Sequence, residues 1–480
     1  MLPRGDGPLF VRLYAALRRA ILEGVHPVGG RLPSTRALAL ELGVSRTVAL
    51  AAFEQLLAEG YVVGRAGSGT FVASPLPDHA LATFTPAPGP LAPAGAPRLS
   101  AFGRRALATA RLRPLPREQA LAFDFRYGFA PPEPDSLSAW RRAVGQAALR
   151  HGLDYAAPEG EPGLRRALAA HLRRHRGVCC EPDQIVVVAG SQQALDLSAR
   201  LLLDPGDRVL IEDPHYQGAR AVLRAAGARL VPLPVDESGL DLGTPARRRL
   251  PARLVYVTPS HQFPTGAVMP LARRLALLDW AARQRAYVLE DDYDSEFRYD
   301  GRPIEAVQSL DARGRTLYVG TLSKLLFPAV RIGFVVLPPP LVEAFRAGKW
   351  LADRHSPLLE QAAAAEFLES GLYERHLRRM RRRHAARRAA LIEAVQAELG
   401  SRAEVMGTGA GIHIVLWLRR LPAARLPALL ARAAAAGVGL QSIAPYYLAP
   451  PARAGVLVGY GALSEARIRE GIRRFARLLA

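Results

Sequence analysis

Residues 319–333 read VGTLSKLLFPAVRIG, a short apolar run that ends in Thr-Leu-Ser-Lys before a second apolar run begins. Of the 64 lysines and arginines in the chain, two are lysines, Lys324 and Lys349, and the other 62 are arginines. An amine condenses with an aldehyde to form a Schiff base, whereas a guanidinium is protonated at ordinary pH and does not. The alternative is a lysine that only extends its amine from a strand end. The position of Lys324, after Gly-Thr-Leu-Ser, favours the covalent role.

The runs on either side of this stretch predict the architecture around Lys324. From about residue 120 onward, short Val, Ile and Leu runs alternate with amphipathic helical stretches, as in QIVVVAG, RVLIED, ARLVYVTP, AYVLEDD and TLYVG. Such apolar strands between helices indicate an α/β fold with a mostly parallel sheet covered on both faces. Ligands of such sheets bind at the carboxyl ends of the strands, so the residues after each run are the candidate site.

The residues at these strand ends describe a site for pyridoxal 5'-phosphate. The candidate cofactor-binding residues are Gly190, Ser191, Gln192, Tyr216, His261, Asp291, Tyr293, Thr321, Ser323, Lys324 and Arg331. A helix that begins after Gly190 offers free backbone amides to a phosphate. An aspartate such as Asp291 can pair with a pyridinium nitrogen and keep the ring an electron sink. Tyr216 is expected to stack on the ring, Tyr293 to bond the ring oxygen, and Lys324 to form the Schiff base.

The length of 480 residues predicts two or three domains, and the formal charge of +21 points to a polyanionic partner. The N-terminus does not resemble a secretory signal, and no apolar run approaches the length of a membrane span. The two cysteines, Cys179 and Cys180, are adjacent, which suits neither a disulfide framework nor a zinc site. We therefore expect a cytoplasmic protein with reduced thiols, no metal and no membrane.

A change of composition separates a short first domain from a long second one. Residues 75–97, PLPDHALATFTPAPGPLAPAGAP, are rich in proline and alanine, and the segment up to residue 117 is rich in arginine. Neither part has a helical or strand period, which is typical of a semi-rigid linker. The predicted domains are therefore residues 1–74, a linker at 75–117 and residues 118–480.

Residues 1–74 predict a winged helix-turn-helix, because three helical segments are followed by a glycine-centred hairpin, YVVGRAGSGTFVA. The start of the third helix in such a fold enters the major groove of DNA, and the wing approaches the backbone or the minor groove. The candidate DNA-binding residues are Arg36, Ser45, Arg46, Thr47, Arg65 and Gly67. A small helical module that binds protein is the alternative, and the wing and the arginines favour double-stranded DNA.

The segment LPSTRALALELGVSRTVALAAFEQLLAEGYVVGRAGSGTFV resembles the DNA-binding domain of the GntR family of bacterial regulators. Residues 120–480 resemble fold type I aminotransferases through six ordered motifs: DYAAPEGEPGLRRALAAHLRRHRGV, GSQQALDL, EDPHY, TPSHQFPTG, EDDYDSEF and GTLSKLLFPAVRIG. The resemblance implies a large, mostly parallel sheet with a smaller C-terminal α+β subdomain. It also implies a homodimer in which Tyr155 reaches the cofactor phosphate of the neighbouring subunit.

Two departures from the aminotransferase pattern bear on function. Phe263 in TPSHQFPTG stands where aminotransferases carry the asparagine of QNPTG, and the motif is similar to the MocR/PdxR subfamily of GntR regulators. The late segment GVLVGYGALS, residues 455–464, lacks the arginine that grips a substrate carboxylate, and Arg453 lies outside it.

These features predict a transcription regulator that senses pyridoxal phosphate or its adduct with an amino compound. The subfamily resemblance implies head-to-tail homodimers. Two alternatives stay open: an aminotransferase with an appended DNA-binding domain, and an architectural DNA-binding protein whose large domain only dimerises.

Overall fold

The computed structural model describes residues 7–78, 98–110, 121–128, 131–132, 134–150, 154–299, 301 and 304–479. The chain forms two compact units, Met1–Arg98 and Leu99–Ala480. Among the helices in these ranges, none combines the length and the apolar character that crossing a lipid bilayer requires.

The first unit is a winged helix-turn-helix, as predicted. Its elements are α1 Leu9–Leu22, α2 Thr35–Leu42, α3 Arg46–Ala58, β1 Val62–Arg65 and β2 Gly69–Val72. The hydroxyls of Ser34 and Ser45 accept hydrogen bonds from the backbone N–H three residues on, at 3.2 and 3.3 Å, and so begin α2 and α3. Gly43 ends α2 with a φ of 64°, which favours glycine. The antiparallel strands form the wing, and Leu17, Leu56 and their neighbours form the core.

The predicted linker needs correction at both edges. At its start, Leu76 is buried in the core of the first unit, and Asp78 accepts hydrogen bonds from Tyr61 and Arg18 at 2.7 and 2.9 Å. Near its end, residues 101–108 form helix α4, in which the Arg105 guanidinium donates to the carbonyl of Ala225 in the large unit. Composition alone missed these contacts, because they join residues distant in sequence. Residues 79–97 and 111–117 of the linker lie outside the described residues.

The second unit is built on an eight-stranded sheet with the order β4-β11-β10-β9-β8-β5-β6-β7. Its strands are β4 Ile185–Val188, β5 Arg208–Asp213, β6 Arg229–Asp236, β7 Gly239–Leu240, β8 Leu254–Val257, β9 Tyr287–Asp292, β10 Thr316–Thr321 and β11 Gly333–Val336. The neighbours among β10, β9, β8, β5 and β6 pair in parallel, whereas β11 and β7 run antiparallel to the strands they contact.

Helices cover both faces of this sheet, as its continuous apolar strands predict. Alternate residues of β4 enter two different cores: Ile185 and Val187 join one apolar cluster, and Val186 and Val188 join the other. The helices of the unit after α4 are α5 Pro134–Arg150, α6 Pro162–Arg176, α7 Ser191–Leu202, α8 Gln217–Ala226, α9 Pro245–Arg248, α10 Leu271–Gln284, α11 Val342–Asp353, α12 Leu358–Glu369, α13 Leu372–Leu399, α14 Leu426–Ala435 and α15 Glu465–Arg477.

A smaller C-terminal subdomain completes the unit, again as expected. It contains an antiparallel sheet in the order β12-β13-β16-β15 and a short parallel pair between β3 and β14. Its strands are β3 Phe123–Asp124, β12 Ala403–Met406, β13 His413–Pro422, β14 Val438–Gly439, β15 Gln441–Ser442 and β16 Arg453–Gly459. Because β3 precedes the large sheet in sequence and pairs with β14 after it, the chain entering the unit is fixed to the subdomain.

Leu56 lies on α3 with no exposed surface, whereas Leu50 of the same helix is 47% exposed. Leu56→Ala removes buried contacts from the small core, so we expect it to destabilise the first unit by about 2–4 kcal/mol. Leu50→Ala is the matched control and is expected to change stability by less than about 0.5 kcal/mol. Chemical denaturation followed by circular dichroism measures both variants, and equal losses would contradict this core assignment.

Candidate functional site

A cavity opens where strands β8, β9 and β10 end, and it encloses about 710 Å³ including its open mouth. The side chains that line it are Tyr127, Ser191, Gln192, Tyr216, Tyr256, Thr258, Phe263, Asp291, Tyr293, Thr321, Ser323, Lys324, Pro328 and Arg331. Nine of the predicted cofactor-binding residues lie in this set and come from four separate strand ends. The structure therefore brings most of the predicted site together.

Lys324 enters the cavity from the turn that follows β10. Its Nζ lies 4.7 Å from the centre of the Tyr127 ring, so the ammonium rests over an aromatic face. The backbone N–H of Tyr127 donates to Gln441 Oε1 at 2.9 Å. Because Gln441 belongs to β15 of the smaller subdomain, that subdomain positions the ring beside the lysine.

Asp291 lies at the end of β9 and is almost completely buried. Its Oδ2 accepts a hydrogen bond from the Tyr256 hydroxyl at 2.8 Å, and its Oδ1 has no partner among the described residues. The pKa of Asp291 is raised to about 7, mainly by burial. The neighbouring carboxylates Asp292 and Asp294 also raise this pKa, whereas the hydrogen bond from Tyr256 lowers it. Asp291 therefore lines the cavity with one carboxyl oxygen that has no hydrogen-bond partner among the described residues.

A helix start and an arginine form another part of the cavity lining. Helix α7 begins at Ser191, so its first backbone amides point outward from a helix start. Gly190 precedes it with a φ of 84°, and a Cβ there would lie 2.7 Å from the guanidinium of Arg331. Glycine therefore allows Arg331 to approach the helix start, where it donates to the carbonyl of Ala189. Ser323 also lines the cavity, and its Oγ is buried without a partner among the described residues.

Aromatic rings form the remaining walls. The centre of the Phe263 ring lies 5.9 Å from the centre of the Tyr216 ring and 5.8 Å from that of Tyr293. Both tyrosine rings are nearly perpendicular to the Phe263 ring. Behind this wall, Glu212 accepts hydrogen bonds from the backbone and hydroxyl of Thr258 and from Gln262. Burial raises the pKa of Glu212 to about 7. Glu212 therefore holds the Thr258–Phe263 segment in place without entering the cavity.

His261 was predicted to bind the cofactor, and the structure places its ring behind the residues that line the cavity. Its ring does not line the cavity; its Nδ1 lies 3.0 Å from Asp294 Oδ2 and 3.1 Å from the Tyr293 hydroxyl. Tyr293 also donates to the carbonyl of His261 at 3.0 Å. The imidazole therefore orients the Tyr293 ring from behind the cavity wall. A residue that follows a strand end can turn its side chain into the core instead of the site.

Two other predicted residues, Tyr155 and Gly190, do not line the cavity with a side chain. Tyr155 is 76% exposed and lies beside Arg354 and His355, so the expectation that it serves a partner subunit stays a prediction. Gly190 acts through its backbone.

The sequence reading missed Tyr127, Tyr256 and Thr258. Tyr256 carried a usable signal, because a buried hydroxyl within the strand LVYV requires a partner. Tyr127 carried none, since β15 positions it from more than 300 residues away.

The predicted DNA-binding residues all lie on the surface of the first unit. Arg36, Ser45, Arg46, Thr47, Arg65 and Gly67 are all exposed. Arg46 and Thr47 occupy the first turn of α3, and Arg65 extends over the Phe71 ring of the wing at 4.7 Å. Gly67 forms the tip of the wing with a φ of 72° and open space around its Cα. This arrangement suits a helix in the major groove and a wing against the backbone.

Two family models match the chain, one for each unit. The model for bacterial regulatory proteins of the gntR family matches residues 9–72, and the model for aminotransferase class I and II matches residues 131–450. Among solved structures, LysN, the alpha-aminoadipate aminotransferase of Thermus thermophilus, is 28% identical with a TM-score of 0.71. That match covers 79% of this chain and 97% of LysN.

Full-length relatives combine both units. The probable rhizopine catabolism regulatory protein MocR of Rhizobium meliloti is 40% identical over 97% of this chain and 93% of its own length. TauR of Rhodobacter capsulatus is 36% identical, with 99% and 98% covered. The pyridoxine biosynthesis regulator PdxR of Corynebacterium glutamicum is 31% identical, with 95% and 93% covered.

Fold, site and matches together define a DNA-binding regulator whose second domain has the fold of pyridoxal phosphate-dependent aminotransferases. Within that class, the chain belongs to the MocR/PdxR subfamily of GntR-family, helix-turn-helix transcriptional regulators.

The raised pKa of Asp291 predicts a pH-dependent gain in stability for Asp291→Asn. Because the folded-state pKa of about 7 exceeds the ordinary 3.8, the ionised carboxyl costs the cofactor-free fold increasing stability as the pH rises through that interval. Asparagine carries no charge and can still accept from Tyr256. We expect it to stabilise the protein more at pH 8 than at pH 5, by on the order of 3 kcal/mol.

Urea unfolding of the cofactor-free protein at the two pH values measures the effect. Asp279→Asn, at an aspartate on α10 with 61% of its side chain exposed, is the control and should show no such difference. An equal gain at both pH values for Asp291→Asn would contradict the buried-charge assignment.

Proposed function

We propose that this regulator holds pyridoxal phosphate covalently on Lys324, and that the cofactor, alone or joined to an amino effector, controls its binding to DNA. The observation that carries this proposal is the convergence of an amine, Lys324, and a partly unpaired carboxyl, Asp291, in one aromatic cavity beside a helix start. An amine for the aldehyde, an acid for the ring nitrogen and amides for the phosphate are the three contacts that this cofactor needs.

The residues of the cavity fit the cofactor group by group. Asp291 Oδ1, which lacks a partner among the described residues, would face the ring nitrogen and keep it protonated. Tyr216 would stack on the ring, and Tyr293, oriented by His261, would bond the ring oxygen. Ser191, Gln192, Thr321, Ser323 and Arg331 would hold the phosphate. When bound, the cofactor supplies an aldehyde carbon that reacts with amines and a ring that withdraws electrons.

The proposed signal is a difference in cofactor or effector affinity between two arrangements of the DNA-binding units. A ligand shifts such an equilibrium only by its differential affinity for the two states. We propose a head-to-tail homodimer in which each winged helix lies over the large unit of its partner and in which Tyr155 completes the partner's phosphate site. Because its target is operator DNA, we propose that the regulator acts in the cytoplasm.

The alternative is an aminotransferase with an appended DNA-binding domain, which the nearly complete set of cofactor contacts favours. Against it, Arg453 at the start of β16 forms an ion pair with Glu404 on the surface, with a nitrogen–oxygen distance of 2.6 Å. Formation of a 2-oxoacid from an added amino acid in repeated turnovers would favour this enzyme over the regulator.

Covalent attachment at Lys324 is tested by reduction with borohydride and peptide mass mapping. We expect the full chain to gain one pyridoxyl group at Lys324, while Lys324→Ala and Lys324→Arg gain none there and lose the visible absorption after dialysis. The arginine variant keeps the charge, so it separates reactivity from electrostatics. Lys349 is an internal control, because its Nζ is bonded to Asp353 at 2.6 Å and buried. Labelling at Lys349 alone would overturn the assignment.

DNA recognition by α3 is tested with Arg46→Ala. We expect it to lose about 1–3 kcal/mol of affinity for a fragment selected from random DNA by the wild-type protein. Arg19→Ala removes the same charge from the exposed side of α1 and serves as the matched control. Gel-shift titrations at one fixed salt concentration give both affinities. Equal losses would show a charge effect instead of base recognition.

A further inference from the structure

The part of the cavity beyond Lys324 has an apolar and aromatic wall. Phe263 lies at its centre, with ring centres 5.1 Å from Tyr127 and 5.1 Å from Tyr446. Leu457 and Trp417 of the smaller subdomain belong to the same buried cluster as Phe263. Phe263 and Tyr127 both line the cavity, so a ligand in this region beside the cofactor would contact aromatic rings.

Strand β16 packs behind this wall, in the same buried cluster as Phe263, and its residue in that cluster carries no charge. Its residue Leu457 is fully buried in the aromatic cluster. Arg453, at the start of the strand, lies on the surface, where it is bonded to Glu404 at 2.6 Å and extends over the outer part of the Trp417 ring. The strand therefore presents an alkyl side chain to the cluster.

The cations that line the cavity do not belong to the aromatic wall around Phe263. Among the described lining residues they are Lys324 and Arg331. Arg331 lies against Gly190 and donates to Ala189, at the phosphate end of the cavity. A carboxylate held against the Phe263 wall would thus lose its hydration without gaining an arginine, which is costly in an apolar site.

We infer that the effector of this regulator is a primary amine that carries no carboxylate and has an apolar or aromatic body. This inference rests on the proposed function, because it requires the cofactor on Lys324. The ligand nitrogen forms the double bond to the cofactor carbon as the bond from that carbon to Lys324 Nζ breaks. Both protons of the ligand amine pass to Nζ, which is released as a neutral primary amine, so the exchange needs no oxidant or reductant. The amine body then lies against Phe263.

The test compares pairs of compounds that differ only in the carboxylate. Full-length protein loaded with pyridoxal phosphate is titrated with phenethylamine and phenylalanine, and with tyramine and tyrosine, while the visible spectrum and the thermal midpoint are recorded. We expect each amine to bind about tenfold or more tightly than its amino acid. Equal affinities, a preference for the amino acids, or no response to either member would overturn the inference.

A substitution in the smaller subdomain tests the predicted preference for amines over amino acids. Leu457→Arg introduces a guanidinium into the buried cluster behind this wall. We expect it to shift the amine-to-amino-acid affinity ratio about tenfold towards the amino acid. Leu457→Met keeps the cluster apolar and should retain the wild-type ratio. If Leu457→Arg does not fold, the paired titrations on the wild-type protein still decide the inference. A chain that stays colourless with excess pyridoxal phosphate would instead refute the proposed function.

Discussion

The large unit is organised around one buried carboxyl group. Asp291 sits at the end of a parallel strand, accepts one hydrogen bond from Tyr256 and has an oxygen without a partner among the described residues. Leaving such a group in an apolar interior is costly, and its pKa rises to about 7 in consequence. A cationic ring nitrogen at that oxygen would remove the cost. The pyridoxal phosphate proposed for this site would therefore stabilise the fold when it binds, which would link its affinity to stability.

Most of the architecture was predictable because it follows local rules. The serine caps and glycine ends of the first unit and the apolar strands of the second are written in short stretches of sequence. Nine residues of the predicted site line the cavity because parallel strands end at one edge. Long-range contacts were not predictable in this way. Tyr127 depends on β15, and the linker edges depend on Asp78 and Arg105 reaching distant partners.

His261 illustrates a different limit. Its place after a strand end made it a candidate for the cavity, yet it bonds to Asp294 and Tyr293 from behind. Burial and these bonds orient the phenol more firmly than packing alone would, since a hydrogen-bonded ring loses its freedom to rotate. Sequence position indicates that a residue is near the site, but the direction of its side chain is set by partners from other strands.

The scarcity of lysine has a consequence for the chemistry of the whole chain. Aldehydes condense with the amines of lysine side chains to form imines. This chain offers two side-chain amines, and Lys349 is held by Asp353 with no exposed surface. Its surface carries its positive charge on guanidinium groups, which are far poorer partners for this reaction. Reactivity towards aldehydes is therefore concentrated in one cavity, and the remaining surface is protected from unselective imine chemistry.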